Sequence, residues 1–418
     1  MQLCLFEDGG ASALRPLSYF RPVYELRCGM LSLRERALVE LRPRSVALHA
    51  RGYLRPVFRE EHPRSDPAQL APGRLVAVNG RAVVTPSLAA ALRGAKGEVC
   101  FMRGDEPVGA VMDGDRAAHF AACLGTDEVL PEMFEGLPRI EVDTELIRYP
   151  WDLVYANETA LRADFAMLRR GGRRKAGRSR VHRAAVLVHR RNIVVGPEAD
   201  IGPGAVIDAE TGPVILGRGA RILPNAVVEG PCFIGDGSII KAGAQIYGNT
   251  SIGPSCKVGG EVEHVIFHSH ANKQHDGFLG HSYVSPWVNL GAGTTSSNLK
   301  NTYGSVRVQI DGVQVDSGRM FVGLLAGDHA KTGINVTLNT GTVIGPAANI
   351  FGTAMAPKNV PPFSWGSGGD LSTYDVDKAL AVAETVMRRR GIVPTAAYQA
   401  LFRAIYAMTD HDRSHFRA

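Results

Sequence analysis

One feature limits what this chain can fold into more than any other. An aliphatic residue recurs every six positions, at Leu216, Ile222, Val228, Ile234, Ile240, Ile246, Ile252 and Val258. An earlier set, Val195, Ile201 and Ile207, keeps the same period, offset by a short insertion. Four residues after the aliphatic position stands a small residue, as at Ala205, Ala220, Ala226, Cys232, Ser238, Ala244, Thr250 and Cys256. Neither the 3.6-residue helix nor the two-residue alternation of a strand generates a period of six. A solenoid with three short faces per coil does. The aliphatic side chain points into the prism, the small one fits beside it, and glycine, frequent at the next position, serves the corners. The pattern predicts a left-handed parallel β-helix over residues 185–362.

Composition agrees. The 418 residues include 47 glycines and only 7% aromatics, yet 45% are hydrophobic. A narrow prism of small and aliphatic side chains accounts for all three figures. Collagen is excluded, because glycine shows no strict period of three. No apolar run approaches the ~18 residues of a membrane span, so no membrane partner is expected. Six scattered cysteines without a CxxC pair, and an N-terminus without signal-peptide shape, lead us to expect a cytoplasmic protein with buried thiols. The net charge of +6 is local: residues 169–183 carry eight Lys or Arg, and without them the balance is −2. No aromatic residue interleaves this run, so it is expected to be an interdomain linker (169–184) and no nucleic-acid partner is expected.

Residues 1–168 read differently. MQLCLFED, SVALHA, RLVAVNG and EVCFMRG are expected strands. MLSLRERALVEL, PSLAAALRGA and DRAAHFAACLG are expected helices, and WDLVYANETALRADFAMLRR is expected to close the domain. Alternation of this kind predicts an α/β, Rossmann-like domain with a mostly parallel sheet, binding ligand beyond the carboxyl ends of its strands. After residue 362 two amphipathic helices are expected to form a C-terminal tail (363–418) that caps the solenoid.

The six-residue repeat is interrupted from about Gly259 to Tyr283, and interruptions of a solenoid are expected to be functional loops. This one holds His264, His268, His270, His275 and His281. No carboxylate or thiolate stands at a familiar ligand spacing, so a general base is expected here rather than zinc. A second cluster holds Asp328, His329 and Lys331, for which a satisfied turn on the solenoid wall is an equal expectation.

The blocks NKQHDGFLG, WVNLGAGTTSSNLKNTYG, GDHAKTGI and NTGTVIG, with LRPLSYFRPVYELRCGMLSLRER and WDLVYAN, carry a resemblance. The chain resembles the bifunctional N-acetylglucosamine-1-phosphate uridyltransferase/glucosamine-1-phosphate acetyltransferase family. It is most similar to the alternate bacterial branch with a shortened N-terminal nucleotidyltransferase domain. The resemblance implies a sugar-nucleotide biosynthesis transferase, using acetyl-CoA as co-substrate and taking nucleoside triphosphate (UTP) and sugar-1-phosphate as partners, with Mg²⁺ at the nucleotidyl site.

It also implies that His275, fourteen residues before Asn289, is the base for acetyl transfer. An imidazole titrates in the range that removes an amine proton. Lys241, Lys273, Asp276, Asn289, Asn298 and Lys300 become candidates for the amino-sugar phosphate, and Ala292, Leu324 and Thr340 for acetyl-CoA. A homotrimer with sites between subunits is implied. The candidate nucleotide residues are Gly9, Gly10, Arg15, Arg21, Asn79 and Gly80, with Asn157 as a candidate metal ligand.

Three departures stand out. Glu263 occupies the position of a family lysine, Phe278 that of a tyrosine, and Asn79 that of the metal-binding aspartate. They leave a catalytically degenerate sugar-nucleotide binder or regulatory relative as the alternative expectation.

Overall fold

A computed structural model describes residues 1–70, 73–170, 178–414 and 416. Most of the basic run, residues 171–177, lies outside the described residues. Contacts divide the chain into two compact units. The first is Met1–Leu26, Leu31–Tyr149 and Thr395–Ala404; the second is Arg27–Met30, Pro150–Pro394 and Ile405–Ala418.

In the first unit, short apolar runs buried on both faces make a six-stranded sheet. Its strands are β1 (Gln2–Phe6), β2 (Ser45–Leu48), β3 (Leu75–Asn79), β4 (Val99–Arg103), β5 (Glu106–Met112) and β6 (Arg139–Glu141), in the order β2-β1-β3-β5-β4-β6. β1 runs parallel to both β2 and β3, so their carboxyl ends meet at one edge. β5 is absent from the sequence expectation. It pairs antiparallel with β4 and β3 through a tight turn at Gly104 and Asp105, where Gly104 takes φ +58°. A left-handed turn residue of this kind is what closes a two-residue hairpin.

Helix α1 (Leu33–Leu41) starts where a capping box starts it: Ser32 Oγ accepts from the Glu35 amide, and Glu35 returns the bond to the Ser32 amide. Helices α2 (Arg55–Glu61), α3 (Pro86–Gly94) and α4 (Gly114–Cys123) complete this part of the chain. Phe20 packs against Tyr398 and Phe402 at ring distances of 5.8 and 5.7 Å.

The second unit holds the solenoid, whose strands all pair in parallel from one coil to the next. Ile222 aligns with Ile240 and Ile240 with Val258, so each regular coil is eighteen residues, three faces of six. The aliphatic positions of the repeat are 0–1% exposed from Ile201 to Val258. Each such burial contributes about 1.5–3 kcal/mol before the entropy of ordering is subtracted. The six-residue pattern therefore identifies the core directly.

The interruption is corrected by the structure. Residues 259–283 are wall, not an external loop. Glu261–Phe267 is one seven-residue strand that spans two faces and aligns in register with Phe278–Val284. The coil is shortened, since Val258 aligns with Lys273 after fifteen residues instead of eighteen. The excursion lies later, between Asn289 and its neighbour Lys331, and carries the hairpin Arg307–Ile310 with Val313–Asp316.

One corner of the solenoid carries rings. His270, Trp287 and His329 take φ of +53°, +66° and +60° and stack on successive coils, with centroids 4.4 and 6.1 Å apart. His329 and Asp328 are buried there, each 1% exposed.

Helix α5 (Pro150–Arg170) belongs by its contacts to the second unit rather than closing the first. Its Leu161 forms a small apolar cluster with Ile215 and Phe233 of the solenoid wall. The tail helices are α6 (Val376–Arg388) and α7 (Ala396–Met408). Arg390, just past α6, donates to Ser255 O and Asn272 Oδ1, partway along the solenoid. Arg413 donates to Pro362 O at the last coils. Among the described residues no helix is long and apolar enough to cross a membrane.

Candidate functional site

The carboxyl ends of β1, β2 and β3 bring charged residues together. Glu7 is fully buried, accepting from the Val23 amide at 2.9 Å and from Arg51 Nε at 3.1 Å. Arg51 also donates to the carbonyls of Ser18 and Arg21. Asp8 caps the turn at Gly9 and Gly10, with Oδ1 accepting from the Gly10 amide. It also binds Arg81 through two bonds, Nε–Oδ1 at 2.8 Å and Nη2–Oδ2 at 2.6 Å. Arg81 continues to Glu106 at 2.9 Å, and Glu106 to Arg148 at 2.6 Å.

This network closes over the Gly9–Gly10 turn. A Cβ on Gly10 would lie 2.5 Å from Arg81 Cζ, and one on Gly9 would lie 3.0 Å from Glu128 Oε2. The glycines are small so that the protein's own ions can close over the turn. Gly80 is small for packing, because a Cβ there would lie 2.8 Å from the Tyr24 ring. Arg15 lies over the Tyr19 ring, and Arg21 donates to Leu17 O. A cavity of about 450 Å³ beside β2, lined by Leu48, Phe58, Arg59, His62 and Asp66, includes none of the six sequence-predicted nucleotide residues.

The residues present do not fit Mg²⁺. Asn79 is 1% exposed; its Nδ2 donates to Asp8 and Pro107 O, and its Oδ1 accepts from the Arg81 amide. Both Asp8 oxygens face the Arg81 guanidinium. Asn157 is corrected as a metal candidate. It is fully buried in the second unit, accepting from Gly29 N and Ser251 Oγ and donating to Asn249 O. Its amide oxygen already accepts from two protein donors and has no charge to offer a hard cation.

On the solenoid, the candidates fall at two different corners. The first corner stacks successive turns. Lys241 lies beside Gly259. His275 and Asp276 follow, both exposed, and the Gly293 amide donates to Asp276 O at 3.1 Å. Ala292 comes next, its carbonyl accepting from Asn335 N at 2.7 Å. Asn289 sits on the adjacent face between Asn272 and Lys331. The structure thus brings Lys241, His275, Asp276, Ala292 and Asn289 to one edge.

The second corner holds Asn298, whose Nδ2 lies 3.0 Å from His281 Nδ1. His281 stacks between His264 and Phe321, at 4.4 and 4.9 Å. Burial, and then the neighbouring His264, push the His281 pKa down to about 3, and burial also lowers His264. Thr340 is 3% exposed and bonded to Ser297 Oγ and Leu299 O, and Lys300 donates to Ser305 O. Glu263 lies 3.5 Å from His264 Nδ1. Leu324 is corrected as an acetyl-CoA contact, because its side chain is fully buried in the prism core.

Lys273 is corrected as a phosphate ligand. It occupies the inward position of its strand, aligned with Val258, and is 1% exposed. Its ammonium donates to Gly259 O at 2.9 Å and His275 O at 3.0 Å. Burial pulls its pKa down to about 8, opposed by Asp276 and Glu261.

Residues 3–173 match the family model described as sugar nucleotidyl transferase. The N-terminal part is thus similar to sugar nucleotidyltransferases. Over 100 residues the chain is 35% identical to a bifunctional sugar-1-phosphate nucleotidylyltransferase/acetyltransferase of Sulfurisphaera tokodaii, covering 24% of this chain and 25% of that one. Over 145 residues it is 32% identical to the bifunctional protein GlmU of Methanococcus vannielii, covering 35% and 30%. Over 170 residues it is 29% identical to GlmU of a Synechococcus strain, covering 40% and 32%. The chain thus spans a quarter to a third of these relatives. Among solved structures, an Arabidopsis UDP-N-acetylglucosamine acyltransferase aligns at 14% identity and TM-score 0.29, over 51% of this chain and 77% of that one.

Sequence reasoning missed the ions of the N-terminal domain that close over its glycine turn. Asp8 stands directly before Gly9-Gly10, and Arg81 directly after Asn79-Gly80. Two opposite charges, each adjoining a glycine at a strand end, were the available signal.

Proposed function

We propose that this chain is a transferase of sugar-nucleotide biosynthesis whose solenoid moves an acetyl group from acetyl-CoA to an amino-sugar phosphate, with His275 as general base. The observation that carries this reading is the exposed His275 on a turn stacked directly beneath Ala292 and Gly293. In the reaction the amine nitrogen bonds to the thioester carbonyl carbon, the C–S bond breaks, and CoA leaves as thiolate. The His275 imidazole accepts the amine proton and returns it to the thiolate.

The candidate residues lie at two corners of one chain. The homotrimer belongs to the same proposal, with the acetyl-transfer site drawing one corner from each of two copies. Glu263, paired with His264, places a carboxylate where the resemblance has a cation, so the acceptor is best sought among several amino sugars. A cytoplasmic location belongs to the same proposal.

The test is acetyl-CoA consumption by purified protein across a panel of hexosamine phosphates, beginning with glucosamine-1-phosphate. No thiol release on any acceptor would overturn the reading. A second reading applies to the N-terminal domain, and the Asp8–Arg81–Glu106–Arg148 network favours it. The domain holds a sugar nucleotide, or only shapes the protein, without nucleotidyl transfer. Pyrophosphate release from UTP and N-acetylglucosamine-1-phosphate would overturn it, and calorimetry with UDP-sugars separates binder from scaffold.

A further inference from the structure

An ammonium inside a β-helix needs a reason. Every other coil from Ile201 to Val258 puts an aliphatic side chain at the inward position aligned with Lys273. Burying an ion costs several kcal/mol unless its partners repay it. A methionine would fill similar volume at no such cost.

The local backbone supplies the reason. The shortened coil brings several carbonyls against the Gly259–Gly260 corner. A Cβ on Gly259 would lie 2.5 Å from Gln274 O. A Cβ on Gly260, at φ +70°, would lie 2.8 Å from His275 O, 2.9 Å from Gly277 O and 2.7 Å from Lys273 Nζ. Carbonyl oxygens repel one another when they converge without a donor. Lys273 brings a donor from inside. Gly259 belongs to one coil and His275 to the next, so the ammonium ties two coils at one point.

We propose that Lys273 is a positioning residue, fixing the turn that carries His275 by drawing the His275 and Gly259 carbonyls onto one interior ammonium. The inference rests on His275 being the base. The link has a geometric consequence. Lys273 points inward, His275 outward, and one carbonyl two residues along joins them. Removing the ammonium frees the turn to shift, and a displacement near 1 Å at a reacting group lowers turnover by about 100-fold.

Two measurements test it. Lys273→Met should keep the far-UV circular dichroism and the acetyl-CoA KM within about twofold, while kcat for acetyl transfer falls by about 100-fold. An unchanged kcat in the folded variant would overturn the proposal.

The second uses the wild-type protein with ¹³C-labelled histidine carbonyls, His275 being assigned from His275→Ala. The charged groups facing the ammonium are Asp276 and Glu261. The His275 carbonyl signal should step with a midpoint near pH 8 as Lys273 loses its proton. A flat signal between pH 7 and 9.5 would overturn the link, whether or not the methionine variant folds. Wild-type protein without any acetyl transfer would sink the proposed function instead, leaving the carbonyl titration to decide the Lys273–His275 contact alone.

Discussion

Asp8 and Arg81 meet at the carboxyl ends of neighbouring strands and bind each other through both prongs, at 2.8 and 2.6 Å. The Arg81 side chain is 3% exposed and is shared with Glu106. A pair so enclosed is part of the fold of the glycine turn. Arg81→Ala leaves Asp8 without its cation and Glu106 with Arg148 alone, and should destabilise the first unit by about 3 kcal/mol. Urea denaturation checks this, and a midpoint equal to wild type would show that the ions are not coupled to folding.

His275→Ala removes an exposed side chain. Its thermal midpoint should match wild type, while acetyl transfer falls by about 10²–10⁴-fold, the usual contribution of a general base. A rate within twofold of wild type would remove His275 from the chemistry.

Asn157→Ala should do the reverse. It strips partners from the buried Gly29 N and Ser251 Oγ and from the half-buried Asn249 O, and should cost about 2 kcal/mol. Acetyl transfer at 25 °C should be unaffected. Loss of activity at full folding would restore a direct role for this residue.

The paired histidines predict acid sensitivity. The folded pKa of His281 is depressed from the usual 6.5 to about 3, so the unfolded chain takes up its proton first. The stability of the neutral stack is fully present above pH 6.5 and is lost as pH falls from 6.5 toward 3. Chemical denaturation at pH 7, 6 and 5 should show midpoints falling in that order. His281→Phe keeps a ring in the stack and should flatten the trend. An equally steep trend in that variant would assign the acid sensitivity to other groups.

Thiol chemistry should be selective. Cys123 is the one partly exposed cysteine among the six, while burial holds the Cys256 thiol up at about 12 and raises Cys4 and Cys232 further. Ellman's reagent on native protein should therefore titrate about one thiol quickly. Rapid reaction of three or more would contradict the burial.

The solenoid was legible because its core is written as a strict period. Ile222, Ile240 and Val258 lie one above another because eighteen residues separate each from the next. The shortened coil was less legible. Lys273 became a phosphate candidate through the resemblance, and only the register reveals that it points inward. β5 was missed because Pro107 and Gly109 break the apolar pattern of Glu106–Met112. The ions over Gly10 lie more than seventy residues apart in sequence, and no local pattern connects Asp8 to Arg81.

The ring column at His270, Trp287 and His329 has a consequence for how such a chain encodes contacts. A left-handed corner is a costly place for a bulky residue, and glycine usually takes it. Here three rings accept the strain at the same phase of their coils, and phase alone makes them neighbours. Separation along the chain drops out: Trp287 and His329 meet across the whole Arg307–Asp316 hairpin excursion as readily as His270 and Trp287 meet across one coil. Ala347 and Phe363 share that phase, at φ +55° and +54°. Ala347, buried at 4% exposed, is therefore a rung without a ring.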